Sequence, residues 1–332
     1  MTRRAALAVS IGLGLALAGC GPFVPAGAAP PELAPRFPTI VSLNPCSDAI
    51  LAEVAEPAQL LAISHYSHDP RASSMDAALA ARFRATGGTV EEIVALRPDV
   101  VVASSFLQPA TGSALDRLGI PVVRLGIAGT VTDSEGQIRQ LARLAGHPAR
   151  GEALVQRIDR ALADAAPPPG VRPIPAIVWQ GGGLVPGDAS LIAQLMRHTG
   201  FANAAAARGL GQGAVLPLEA MLADPPQVIF AAGSPQAEED RLLSHPALAG
   251  LKGTTHARFD PKLLFCGGPT IPRAVARLAE VRAEVSGGAS TGSAQAEIGL
   301  DRNIETPLRL SLSKHVLSFA EGPHPAHPAH AR

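Results

Sequence analysis

Two α/β lobes, each built on a parallel sheet, are predicted by three observations in this chain of 332 residues. One phrase occurs twice, as VEEIVALRPDVVVAS from Val90 to Ser104 and as LEAMLADPPQVIFAA from Leu218 to Ala232. Each copy opens with an acid, Glu91 or Glu219, passes through an apolar turn, meets Pro98 or Pro226, and ends in an unbroken apolar run. Proline disfavours helix in the residue before it, and a run without polar alternation suits a strand covered on both faces. Each copy therefore reads as helix, stop, buried strand. The third observation is the setting: further apolar strands and helices flank both copies, as parallel pairing with helical crossovers requires. With 47% of the chain hydrophobic, there is enough apolar material for two cores.

In chain order, the first twenty residues, MTRRAALAVSIGLGLALAGC, have two arginines, a short apolar stretch and a small-residue end, the layout of a secretory signal. The apolar run is short for a membrane span. Its last four residues, Leu17 to Cys20, resemble the lipobox of bacterial lipoproteins, which implies cleavage before Cys20 and lipidation of its thiol. Residues 21–38, rich in Pro, Ala and Gly, read as a flexible spacer. The first lobe is assigned to 39–145. It starts with the strand TIVSL (Thr39 to Leu43), a helix through Val54 capped by Ser47 or Asp48, and the strand Leu60 to Ser64. The first copy of the phrase follows, then a strand from Ile120 to Leu125.

From Asp133 the pattern turns helical, with Ile138, Leu141, Leu144, Leu154, Ile158 and Leu162 at helical spacing and a break at Gly146 to Pro148. The piece within 146–170, roughly 30 Å long at 1.5 Å per residue, is expected to bridge the lobes as a lone helix. The second lobe, 171–286, begins with the strand Ala176 to Gln180, contains the second copy, and closes with a helix from Ile271 to about Val285. Residues 287–332 read as a disordered or appended tail. Its histidines, His315, His324, His327 and His330, fit a solvated Pro/His tract better than a metal site.

A zero formal charge and 3% aromatic residues leave no basic stripe or stacking platform for nucleic acid. An enzyme built on a Cys–His pair is the competing class, but no GxSxG elbow, phosphate loop or dense carboxylate cluster accompanies such a pair. We expect no catalysis. A lipoprotein without a small ligand is the third class.

The strings IVSLNPCSDAILAEV, AISHYSHDP, GGTVEEIVALRPDVVVAS, LDRLGIPVV and LEAMLADPPQVIFAAG, in this order and spacing, resemble the substrate-binding proteins of ATP-driven importers for iron chelates and vitamin B12, the helical-backbone metal receptors. The resemblance covers Phe37 to about Val285. It implies a ligand cleft between the lobes, a stiff helical connection, a periplasmic monomer, and a permease with its ATPase as partners. It also implies that Glu91 and Glu219, one per lobe, pair with arginines of a twofold permease. The plain alternative is that both are first-turn helix acids, and Glu92 is placed to share the role of Glu91.

Ligands of parallel sheets lie beyond the carboxyl ends of the strands. That rule nominates Cys46, His65, Tyr66, His68, Ser105, Phe106, Trp179, Gln180, Phe265 and Cys266 as cleft residues. Tyr66 stands where B12-binding relatives carry a cleft tyrosine, and Trp179 offers a ring for a flat macrocycle. His65, His68, Cys46 and Cys266 include side chains able to hold a transition metal, although polar lining or unpaired thiols is the preferred reading and no resident cofactor is expected; the compartment permits disulfides, and the sequence leaves open whether the two cysteines meet. Arg71, Arg82 and Arg84 are the only substitutes found for the arginines that clamp acidic siderophores in relatives. Their weakness, together with Tyr66, favours a neutral, bulky chelate such as cobalamin or another corrinoid, with a ferric siderophore, haem or bare transition metal as alternatives.

Overall fold

The computed structural model describes residues 37–233 and 237–296. The signal with Cys20, nearly all of the spacer, and the tail beyond 296 lie outside the described residues. Among the described residues, no helix is long and apolar enough to cross a membrane.

The first lobe holds five strands: β1 (Ile40–Ser42), β2 (Leu60–Ser64), β3 (Ala85–Thr86), β4 (Val100–Ser104) and β5 (Val122–Leu125). Between them run α1 (Pro45–Val54), α2 (Ala77–Ala80), α3 (Val90–Leu96) and α4 (Pro109–Arg117). The sheet order is β3-β2-β1-β4-β5, all parallel. Two longer helices follow, α5 (Val131–Leu144) and α6 (Pro148–Ala165).

The second lobe is built around β6 (Ile174–Gln180), β8 (Phe201–Asn203), β10 (Val228–Ala232) and β11 (Thr255–Phe259), ordered β11-β10-β6-β8 and parallel. A small antiparallel pair, β7 (Leu184–Val185) with β9 (Ala214–Val215), stands apart. The helices are α7 (Leu191–His198), α8 (Ala204–Ala207), α9 (Leu218–Ala223), α10 (Pro246–Ala249), α11 (Lys262–Phe265) and α12 (Ile271–Ala296). The described chain divides into a unit ending at Ala279, which contains both sheets, and a second unit that begins at Glu280.

The repeated phrase folds alike in both places, as α3–β4 and as α9–β10. In each sheet the strand it supplies has a neighbour on both sides, which is why its apolar run has no polar alternation. Ile93 of α3 and Met221 of α9 are both wholly buried, the first against Val41, Ala62 and Val101, the second against Ile177 and Ile229. Because helices of a parallel sheet run back against the strands, Glu91 and Glu219, in the first turns of α3 and α9, sit toward the carboxyl ends of their sheets.

Three expectations need correction. The cap of α1 is Asn44, whose side chain accepts from the Cys46 amide at 2.7 Å, because Pro45 takes the first helical position with its fixed φ. Ser47 and Asp48 are thereby drawn inside the helix and buried. The connecting helix α6 is not a lone strut: it packs along α5 and α1, while at its far end the Leu162 carbonyl lies 2.7 Å from His198 Nε2 of the second lobe. Finally, α12 continues to Ala296, past the boundary drawn at 287. Small and glycine residues disfavour helix nucleation, but extending an established helix costs far less per residue.

Candidate functional site

The loops at the carboxyl ends of the two sheets enclose two adjoining cavities. The smaller, about 440 Å³, is lined from the first lobe by Asn44, Cys46, Ser104, Phe106 and residues 125–129, and from the second by Gln180, residues 189–192, Gln212 and residues 264–267. Among the described residues, no Asp, Glu, Lys, Arg or His lines it; its polar groups are amides and hydroxyls. The larger, about 910 Å³, takes Pro70 and Arg71 from the first lobe and Leu184, Asp240, Arg258, Asp260, Lys262, Arg273 and Arg277 from the second. Gln180 and Phe265 line both, so they form the wall between a neutral chamber and a charged one.

Apolar side chains that would ordinarily be covered stand open here. Phe106 is 72% exposed, Ile127 78%, and Leu184 and Phe265 are each 42% exposed. All four line one chamber or both. A set of exposed large apolar residues gathered in one concavity is the mark of a binding surface.

Of the nominated residues, Cys46, Phe106, Gln180, Phe265 and Cys266 line the cavities. Cys46 and Cys266 form a disulfide with Cα atoms 5.2 Å apart. This removes the free thiols that the sequence left open, and with them a Cys nucleophile or thiolate ligand. Ser105 lines neither chamber; its neighbour Ser104 does, while the Ser105 amide donates to the Leu125 carbonyl at 2.8 Å.

Trp179 is a correction. It is fully buried, donates from Nε1 to the Leu216 carbonyl at 3.0 Å, and packs with Ile177 and Met221 beneath the sheet. Strand parity explains this: Ile177 and Trp179 share one face of β6, and only Gln180, at the strand's end, reaches the cleft.

His65, Tyr66 and His68 occupy a turn after β2 and line neither chamber, although Pro70 and Arg71 just beyond them do. Tyr66 is 54% exposed and lies against His65, ring centroids 4.0 Å apart. Among the described residues, no group of three or more His, Cys, Asp or Glu side chains is arranged to hold a metal. The HxxH pair has no third ligand there.

The turn is fastened from beneath by Asp48. One carboxylate oxygen accepts from the Ser64 amide at 2.9 Å and from the Ser67 hydroxyl at 2.6 Å, and the other makes no hydrogen bond. Burial pushes the pKa of this acid up to about 8, against the opposing pull of the Ser42 and Ser67 hydroxyls and the Ser64 amide.

Of the cations in the larger chamber, only Arg71 was nominated from the sequence. Arg82 and Arg84, proposed as substitutes, line neither cavity; Arg258, Lys262, Arg273 and Arg277 do, beside Arg71. Arg273 and Arg277 are four residues apart on α12 and so share a face, a spacing that was visible after FCGGP. Arg273 donates to the Ser74 carbonyl at 3.2 Å across the lobes, and Arg277 to the Arg258 carbonyl at 3.1 Å.

The two acids of α3 also separate. Glu92 accepts from the Thr86 hydroxyl at 2.7 Å and the Gly88 amide at 3.1 Å, and the Thr86 bond leads in holding its carboxyl below the usual range. It is engaged in its own loop. Glu91 and Glu219 are exposed.

Two parallel α/β lobes whose strand ends face a common cleft define a two-lobed ligand-binding protein. The chain belongs to the periplasmic binding protein family, whose sequence profile matches residues 40–259. The family consists of substrate-binding proteins rather than enzymes. No curated protein matches the chain in sequence. Among solved structures, the periplasmic haem-binding protein HutB of Vibrio cholerae is similar, with a TM-score of 0.59, 17% identity, and coverage of 73% of this chain and 98% of that one. The periplasmic haem-binding protein RhuT of Roseiflexus sp. RS-1, in apo form, has a TM-score of 0.58 at 20% identity, covering 75% and 98%. The periplasmic vitamin B12-binding protein BtuF of Vibrio cholerae has a TM-score of 0.55 at 18% identity, covering 75% and 97%. At these identities the likeness shows the fold.

Proposed function

We propose that the protein is the lipid-anchored, monomeric binding component of an ATP-driven importer, and that it captures a large metal chelate and delivers it to a permease. The preferred cargo is a corrinoid. The observation that carries this reading is the division of the cleft into a chamber without charged lining residues and a larger one where five cations outnumber Asp240 and Asp260, on either side of Gln180 and Phe265. A corrinoid has matching parts: a macrocycle rimmed by amides, suited to the neutral chamber, and an appended nucleotide whose phosphodiester suits the cationic one. Haem is the second reading, favoured by the cations alone, which would pair with its carboxylates. Similar folds named for haem and for vitamin B12 keep both within reach.

Calorimetric titration with cyanocobalamin, haemin and a ferric siderophore separates these readings. One saturable site for cyanocobalamin is expected, with stabilisation of about 2.7 kcal/mol when the ligand is at 100 times its Kd. Phe265→Ala should weaken binding by about tenfold or more, since a buried Phe side chain contributes roughly 1.5–3 kcal/mol. Saturable binding of haemin alone would shift the assignment to haem, and no response to any of the three would overturn the chelate reading.

Delivery rests on Glu91 and Glu219. Charges of this kind steer encounter and fix register more than they add affinity. Reversing both, Glu91→Lys with Glu219→Lys, is expected to abolish uptake of the bound ligand while its Kd stays unchanged. Uptake that survives the double reversal would reduce both residues to ordinary first-turn helix acids.

A further inference from the structure

The Cys46–Cys266 disulfide joins residues 220 apart in sequence. Cys46 belongs to the first turn of α1, just beyond β1; Cys266 follows α11, after the last strand of the second sheet. Past Cys266 the chain returns to the first lobe, where the turn Gly268–Thr270 packs on α1, α5 and α6. The lobes are thus connected through the segment after α6 and again through this return crossing.

The return crossing is held at close range. The Gly268 amide donates to Ser134 Oγ of α5 at 2.6 Å. A Cβ on Gly267 would lie 2.6 Å from the same oxygen, and one on Gly268, whose φ is +59°, would lie 2.9 Å from Ile50 of α1. Only glycines allow this approach. Alongside it, the Ser74 hydroxyl donates to the Lys262 carbonyl at 2.6 Å. Phe265, the residue before the pinned cysteine, is part of the wall between the two chambers. The bond therefore fixes both the crossing and the wall.

We infer that the Cys46–Cys266 disulfide is a thiol-sensitive pin on the second lobe-to-lobe crossing, which sets how firmly the cleft holds its ligand. The part concerning ligand rests on the cleft reading above. Opening the pin needs an external dithiol. Its thiolate attacks one sulfur and the S–S bond breaks; its second thiol then closes the resulting mixed disulfide. The dithiol leaves as a cyclic disulfide, and Cys46 and Cys266 gain its two electrons and two protons as free thiols. Once the bond is open, the crossing can open locally at a lower free energy than global unfolding, so its loosening should exceed that of the core strands.

The test compares the purified oxidised chain, the same chain treated with dithiothreitol after folding, and Cys46→Ser with Cys266→Ser. Amide exchange is expected to rise in residues 262–270 and 44–50 by about tenfold or more beyond any rise in β4 and β10, whose exchange follows global stability. Unchanged exchange in those segments, or a rise there no larger than in β4 and β10, would overturn the pin. Should the double serine chain fail to fold, the folded and then reduced protein gives the same comparison. Dissociation of cyanocobalamin and haemin, measured on the oxidised and reduced forms, is the second readout. Faster release on reduction supports the pin, and an unchanged rate removes its hold on ligand. If neither probe binds the oxidised chain, the chelate reading fails while exchange still decides the pin.

Discussion

Asp48→Asn is expected to make the protein more stable at pH 9 and to change it little near pH 4. Asp48 is wholly buried in α1, and its pKa rises from 3.8 to about 8. Between those values the folded chain holds a proton that the unfolded chain has released, so stability falls as pH rises through this window. The favourable contribution is complete below pH 3.8 and lost above about 8. At 1.36 kcal/mol per unit, the span sets a ceiling of about 6 kcal/mol, and relaxation or water entry at the ionised site brings the expected gain to roughly 2–5 kcal/mol. Asparagine keeps one oxygen for the Ser64 amide and the Ser67 hydroxyl and carries no charge to bury. Melting curves of parent and variant from about pH 4 to 9 should diverge upward, at roughly 2–4 °C per kcal/mol for a chain of this size. Burial also holds His256 below its ordinary pKa, which lowers stability on the acid side, but it does so in both proteins and cancels in the difference. Parallel curves across the range would mean that Asp48 is ionised within the fold at little cost.

What was legible in the sequence was whatever depends on local order. The two copies of the phrase gave α3–β4 and α9–β10 because proline and apolar run length act within a few residues. Segments at strand ends pointed to the cleft for the same reason, and Phe106, Gln180 and Phe265 line it. Trp179 was misplaced because the face a strand residue takes depends on parity along the strand, and a one-residue uncertainty inverts it. Arg71 was named, but its companions Arg258 and Arg273 were missed because they reach it from β11 and α12, which only the folded chain brings to the loop beyond β2. The difference between Glu91 and Glu92 was not legible either, because it lies in the Thr86 hydroxyl that bonds Glu92.

Reduction of Cys46–Cys266 is expected to cost about 2–5 kcal/mol of global stability, separately from any local loosening of the cleft. The bond closes a loop across a sequence separation of 220, and chain-entropy reasoning places such a closure near the upper end of that range, because its cost to the unfolded ensemble grows only logarithmically with length. The effect lies mostly in the unfolded state: an oxidised unfolded chain is tied at two distant points and exposes less surface than a reduced one. Denaturant unfolding should therefore show a lower midpoint after reduction together with a steeper dependence on denaturant. The pairing of these signs is informative. A lower midpoint with an unchanged slope would place the loss in the folded state, at the crossing held by Gly267, Gly268 and Ser134. An unchanged midpoint and slope, with two thiols titrating before reduction as after it, would mean that the cysteines are not joined in solution, and the pin would fall with the stability term.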